Sequence, residues 1–164
     1  MAEYVSFQGY QEEEEDTLQG KYLTFLIGSD SYGIELRYVT EIIGIQPLTE
    51  VPEVPDYIRG IINLRGRIIP IMDVRLRFRK PFRHYNDRTC VIIVEMSGIT
   101  MGLVVDSVAE VLSIPDEDIA DPPEINKTYN RYIKGIASVG EEVKLILDVN
   151  KILTDDEVEQ LSQL

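Results

Sequence analysis

The sequence predicts a mostly β protein: two packed five-stranded β-barrel lobes of SH3-like or OB-like size, finished by a short C-terminal helix. Three observations carry this. The 164 residues include 21 Ile and 15 Val against only 4 Ala, a bias toward β-branched side chains that suit pleated, half-buried surfaces. Short apolar runs alternate with Gly, Pro and Asp/Ser turn signals along nearly the whole chain. The second half also repeats the first. Gly33-Ile34, Val39, Glu41-Ile42-Ile43 and Ile45 return as Gly102-Leu103, Val108, Glu110-Val111-Leu112 and Ile114. Likewise Tyr57-Ile58-Arg59-Gly60-Ile61 returns as Tyr132-Ile133-Lys134-Gly135-Ile136, and Ile71-Met72-Asp73-Val74 as Ile146-Leu147-Asp148-Val149. A duplicated five-strand unit hides its edges best by closing into a small barrel.

In order along the chain, residues 1–20 carry six acids, no base and little apolar surface, and are expected to form an acidic flexible tail. The first lobe, 21–84, holds strand-like runs at 21–27, 32–36, 38–45, 58–64 and 67–72. Gly28-Ser29-Asp30-Ser31, the prolines at 47, 52 and 55, and Arg65-Gly66 separate them. The second lobe, 85–148, holds runs at 89–96, 100–105, 107–114, 131–138 and 142–147. In the last segment, 149–164, Thr154-Asp155-Asp156-Glu157 supplies an N-cap and acids for the positive end of a helix that should pack on the barrels.

Composition narrows function. One Cys and one His leave no disulfide within the chain and no Cys/His zinc site, and no cofactor is expected. Cys90 lies within an apolar strand and reads as an inert core thiol, and no phosphate-cradling glycine loop is present. The net charge of −13 disfavours nucleic acid as the general partner, because that binding requires cations that displace condensed counterions. The charge is segregated, however: residues 59–88 hold nine bases and two acids, or +7, leaving −20 elsewhere. A small-barrel nucleic-acid-binding protein is therefore the alternative, although no base-reading motif accompanies the bases. No apolar run reaches the roughly 18 residues needed to cross a bilayer. The start of the chain lacks a secretory pattern, so a cytoplasmic protein is expected, without membrane insertion.

Two residues stand out. Asn63-Leu64-Arg65-Gly66-Arg67 departs from its repeat counterpart Ser138-Val139-Gly140-Glu141-Glu142, which lacks the Asn and both arginines. Arg65 is either a solvated residue of a tight hairpin turn or a fixed fork for a carboxylate. Glu41 sits among apolar neighbours, where a charge is out of place unless it is exposed or paired; it is alternatively an inherited position, since Glu110 occupies the equivalent place.

The runs Tyr38-Val39-Thr40-Glu41-Ile42, Val51-Pro52-Glu53-Val54-Pro55, Gly60 through Arg75 and Gly102-Leu103-Val104-Val105-Asp106 together resemble the CheW family of bacterial chemotaxis coupling proteins, over roughly residues 21–155. The resemblance implies two intertwined barrels without enzymatic activity. It implies binding of the helical hairpin tip of methyl-accepting chemoreceptors in an apolar groove between the barrels, and separate binding of the regulatory domain of the histidine kinase CheA. By position it implies a receptor-binding set of Val39, Glu41, Gly60 and Gly102, with Arg65 supporting the groove by pairing with Glu41. It assigns no residue to the kinase-facing surface. Glu35 stands where the family often has proline and Val74 where Leu is common.

Overall fold

The computed structural model describes residues 5–6, 15–96, 98–123 and 131–163. Its ten long strands fall where the sequence places them: β2 (Lys21–Ile27), β3 (Asp30–Glu35), β4 (Val39–Gly44), β5 (Ile58–Leu64) and β6 (Arg67–Asp73) in the first half. Their repeats are β7 (Cys90–Met96), β8 (Ile99–Val105), β9 (Ser107–Ser113), β11 (Ile133–Val139) and β12 (Glu142–Leu147). Two-residue strands add to the edges, β1 (Val5–Ser6) and β10 (Ile119–Ala120). They make two six-stranded sheets. The first runs β1-β4-β7-β8-β6-β5 and the second β10-β11-β12-β3-β2-β9.

Each sheet draws on both halves. The hairpin β2–β3 joins β9, β11 and β12 of the second half, and its repeat β7–β8 joins β4, β5 and β6 of the first. Parallel ladders weld these exchanged hairpins in place, Met72 opposite Leu103 and Leu145 opposite Tyr32. The lobes in space are therefore not the consecutive segments 21–84 and 85–148. Duplicated strands carry the same apolar pattern, so pairing within a half and pairing across halves satisfy that pattern equally well, and the sequence does not choose between them.

Burial follows the two faces of the strands. One core fills the concave side of the first sheet with Ile43, Ile62, Ile69, Ile71, Val91, Ile93 and Val104. A smaller one, Tyr22, Ile114, Ala137 and Ile146, belongs to the second. The largest lies between the sheets, where Leu23, Phe25 and Ile34 of one meet Met72, Ile92, Val94 and Leu103 of the other. Strand β7 shows the alternation directly: Val91 and Ile93 go to the first core, Ile92 and Val94 to the shared one.

Short helices close the ends. Asp73, buried, accepts from Leu76 N–H and caps α2 (Val74–Arg77); its repeat, Asp148, caps a 3₁₀ turn in the same way. The expected C-terminal helix is α3 (Asp155–Ser162), with a complete capping box between Thr154 and Glu157 and with Leu161 buried in the shared core. The acidic stretch 1–20 differs from a loose tail in what is described of it. Val5 and Ser6 pair with Ile42 and Glu41 on the open edge of β4, and α1 (Glu15–Leu18) sets Leu18 against the shared core. An unpaired strand edge offers a row of backbone donors and acceptors to any extended segment nearby. The other acids of that stretch lie outside the described residues.

Candidate functional site

Strand β4 contains a bulge. Its register against β7 shifts between Val39, opposite Val94, and Glu41, opposite Ile93, and Thr40 fills the gap by donating its hydroxyl to Ile93 O at 3.2 Å. A bulge re-aims the side chains that follow it. Val39 therefore packs in the core between the sheets, whereas Glu41 and Ile43 turn to the core of the first sheet. Glu41 is 1 % exposed, and its Oε2 has no hydrogen-bond partner among the described residues.

The partner of its other oxygen comes from the far end of the sheet. Leu64 pairs with Arg67, so Arg65-Gly66 is a two-residue hairpin loop; both have positive φ, 53° and 85°, the pattern of a type I′ turn. Asn63 Oδ1 accepts from Gly66 N–H at 2.8 Å, which explains the Asn. From this turn Arg65 Nη2 donates to Glu41 Oε1. The arginine side chain is 52 % exposed and the carboxylate is buried, so the pair joins surface to interior. Both readings of Arg65 hold at once: it is a turn residue and it holds a carboxylate. Because β4 and β5 stand far apart in the strand order, their pairing also shows how far the first sheet curls on itself.

The repeat provides a control within the molecule. At the place of Arg65 the second half has Gly140, also at positive φ, 63°. Glycine occupies that backbone region freely, whereas a side chain there costs on the order of 1 kcal/mol. The first half carries the strained residue and has a buried glutamate for it; the second lacks the arginine, and Glu110 is exposed. Glu41 is thus more than an inherited position.

Glycines complete a line across the sheet. Glu41 stands opposite Ile93, Ile93 opposite Gly102, Gly102 opposite Ile71, and Ile71 opposite Gly60. A Cβ on Gly102 would lie 2.5 Å from Ile71 Cδ1 and 2.7 Å from Val91 Cγ1. At Gly60, φ is 146° and a Cβ would lie 2.3 Å from Thr49 O, part of a backbone bridge between Thr49 and Ile61. Of the five residues singled out, then, Glu41 and Arg65 form a polar pair, while Val39, Gly60 and Gly102 are packing positions. The Thr49 bridge had no signal in the sequence beyond the prolines that flank its loop.

Between the sheets the interior is filled by buried side chains of this chain. Part of the basic run 59–88 is paired with the molecule's own acids. Arg75 pairs with Asp106, Arg77 with Glu157, Lys80 with Asp30 and Arg65 with Glu41. That speaks against a free basic stripe for nucleic acid. Cys90 is half-buried, donates to Arg88 O, and burial pushes its thiol up, away from nucleophilic character. Among the described residues no cluster of His, Cys, Asp and Glu could hold a metal, and no helix is long and apolar enough to cross a membrane.

The family model described as CheW-like domain matches residues 21–157. This chain belongs to the CheW-like domain family. Chemotaxis protein CheW of Klebsiella aerogenes is 35 % identical over 144 residues, 87 % of each chain. Chemotaxis protein CheW of Bacillus subtilis is 33 % identical over 134 residues, 81 % of this chain and 86 % of that one. Among solved structures, the scaffolding protein TtCheW of Thermoanaerobacter tengcongensis superposes with a TM-score of 0.78 at 33 % identity, covering 84 % of this chain and 94 % of that one. In this CheW-like domain the exchange of hairpins gives the sequence repeat its spatial form, and the motif Asn-Leu-Arg-Gly is the I′ turn that delivers Arg65 to Glu41.

Proposed function

We propose that this CheW-like chain is a non-enzymatic, cytoplasmic adaptor that couples chemoreceptors to the histidine kinase CheA. One surface receives the helical hairpin at the cytoplasmic tip of a methyl-accepting chemoreceptor; another docks on the regulatory domain of the kinase, and receptor state biases kinase activity through geometry. The observation that carries this reading is the pairing of buried Glu41 with half-exposed Arg65 across the first sheet. The second half lacks this pair, whereas the first half carries a strained turn residue that makes it. The receptor-facing surface in this reading is the face where β4 meets the β5–β6 turn. Arg65 contacts the partner there, Glu41 fixes Arg65, and Val39, Gly60 and Gly102 set the shape beneath. Relatives named as chemotaxis proteins and a structural relative described as a scaffolding protein support the same reading. Individual contacts are modest, and many receptors and kinases engaged together supply the strength.

The test is co-purification of the full chain with a receptor cytoplasmic fragment and, separately, with the kinase regulatory domain. Retention of both supports the adaptor. Retention of neither, with tight salt-sensitive binding of DNA or RNA instead, favours the nucleic-acid alternative.

A further inference from the structure

A cavity of about 200 Å³ opens where the β2–β3 turn, the start of α2, the β8–β9 corner and the segment 83–89 meet. Its lining carries more bases than acids, unusually for a chain of net charge −13: Arg75, Arg83 and Arg88 face two acids, Asp73 and Asp106. Both acids are already engaged. Asp106 accepts from Arg75 Nε and Nη2 at 2.9 and 2.8 Å, from Gly28 N–H at 2.7 Å and from Arg83 at 3.3 Å. Asp73 accepts from Tyr85 OH at 2.7 Å and caps α2.

The donors are not used up in the same way. Arg83 keeps 57 % of its side chain in solvent and has one long bond, and the Arg88 guanidinium has no hydrogen bond or ion pair among the described residues. His84 is exposed, its ring edge-on to Phe82. Arg75, held at Nε and Nη2 by Asp106 and at Nη1 by Pro81 O, gives the cavity a fixed wall, and the bonds from Arg75 and Gly28 outweigh the opposing effect of burial and keep Asp106 ionised beside it. Two exposed guanidinium groups lining one small space beside Arg75 suit a tetrahedral anion with several acceptor oxygens better than a single carboxylate.

We propose that this cavity is a binding site for a small phosphate-class anion, with Arg83 and Arg88 as the recruiting cations and Arg75 as the fixed wall. The ligand is held by charge-assisted hydrogen bonds, and no bond is made or broken. The chain's remaining acidic surface repels anions, so binding is confined to this place.

Calorimetric titration of the full chain with inorganic phosphate and with pyrophosphate, at ionic strength matched with chloride, tests it. The expected result is saturable binding that R83A/R88A weakens about tenfold or more while K151A, at an exposed basic residue outside the cavity, leaves it unchanged. Tighter binding of pyrophosphate points to a polyphosphate ligand, equal binding to a single phosphoryl group. Arg83 and Arg88 are exposed, so circular dichroism of R83A/R88A should match that of the wild type. No saturable heat with either anion, or equal weakening by K151A, overturns the proposal.

Discussion

Arg65, half in water on a two-residue turn, holds the carboxylate of Glu41, which is buried at the opposite end of the same sheet. Removing the arginine strands a desolvated charge, so Arg65→Ala is expected to cost about 1 to 3 kcal/mol. Urea unfolding with unchanged m-value measures it; a loss below about 0.5 kcal/mol would mean that the pair contributes no more than an ordinary surface ion pair.

Arg65→Gly separates the two roles of the position. Both variants lose the contact with Glu41, but glycine relieves the positive φ that alanine would keep. Arg65→Gly should therefore be more stable than Arg65→Ala by about 1 kcal/mol. Equal stabilities would show that the turn carries no strain.

Burial changes what is expected at Glu41. A lysine there would place a cation in the interior beside Arg65, so Glu41→Lys is expected to destabilise by several kcal/mol, on the order of 3 to 5. Glu41→Gln, which keeps the shape and an acceptor oxygen, should unfold much closer to wild type; the two denaturation curves side by side decide this.

Close approach makes the two glycines unequal. Gly102→Ala meets the ends of Ile71 and Val91, which can shift, at the cost of overpacking, about 1 to 3 kcal/mol. Gly60→Ala meets the Thr49 carbonyl and carries a backbone strain as well. It should be the more damaging of the two, seen as the larger drop in Tm.

Acid should loosen the lobe contacts in a defined window. Burial pushes the Asp106 carboxyl up, but the bonds from Arg75 and Gly28 outweigh it, and the net shift is downward from 3.8. Glu35 behaves alike: burial raises it, and Lys134 and Arg37 more than reverse that, below 4.5. A carboxyl whose folded pKa is depressed adds stability that is present above its unfolded pKa and is lost as pH falls through the folded one. Stability should thus decline as pH drops below about 4.5, and more shallowly in Asp106→Asn. An identical slope in that variant would remove Asp106 from this role.

Much of this was legible in the sequence, for physical reasons. Strand β5 begins and ends where its apolar run does, since Gly and Pro punctuate both sides. Thr154 and Glu157 announce α3 because a capping box is a local arrangement. What stayed hidden depends on contacts between distant segments. The repeat reveals two equivalent units, but β2–β3 and β7–β8 pair as well with one half as with the other, so the exchange is decided by packing of the whole. Glu41 and Arg65 could be singled out one by one; that they touch rests on the curl of the sheet. The core between the sheets likewise follows from the exchanged hairpins, which bring Phe25, Ile34, Ile92 and Leu103 together.

Equilibrium titration of a soluble chemoreceptor hairpin fragment against wild type and the folded Arg65→Gly variant decides whether the Glu41–Arg65 face is a docking surface. Saturable binding to wild type, weakened about tenfold or more in Arg65→Gly, is the expected result. Equal affinity for both proteins would place the receptor elsewhere on the fold, and no binding to wild type would contradict the adaptor itself.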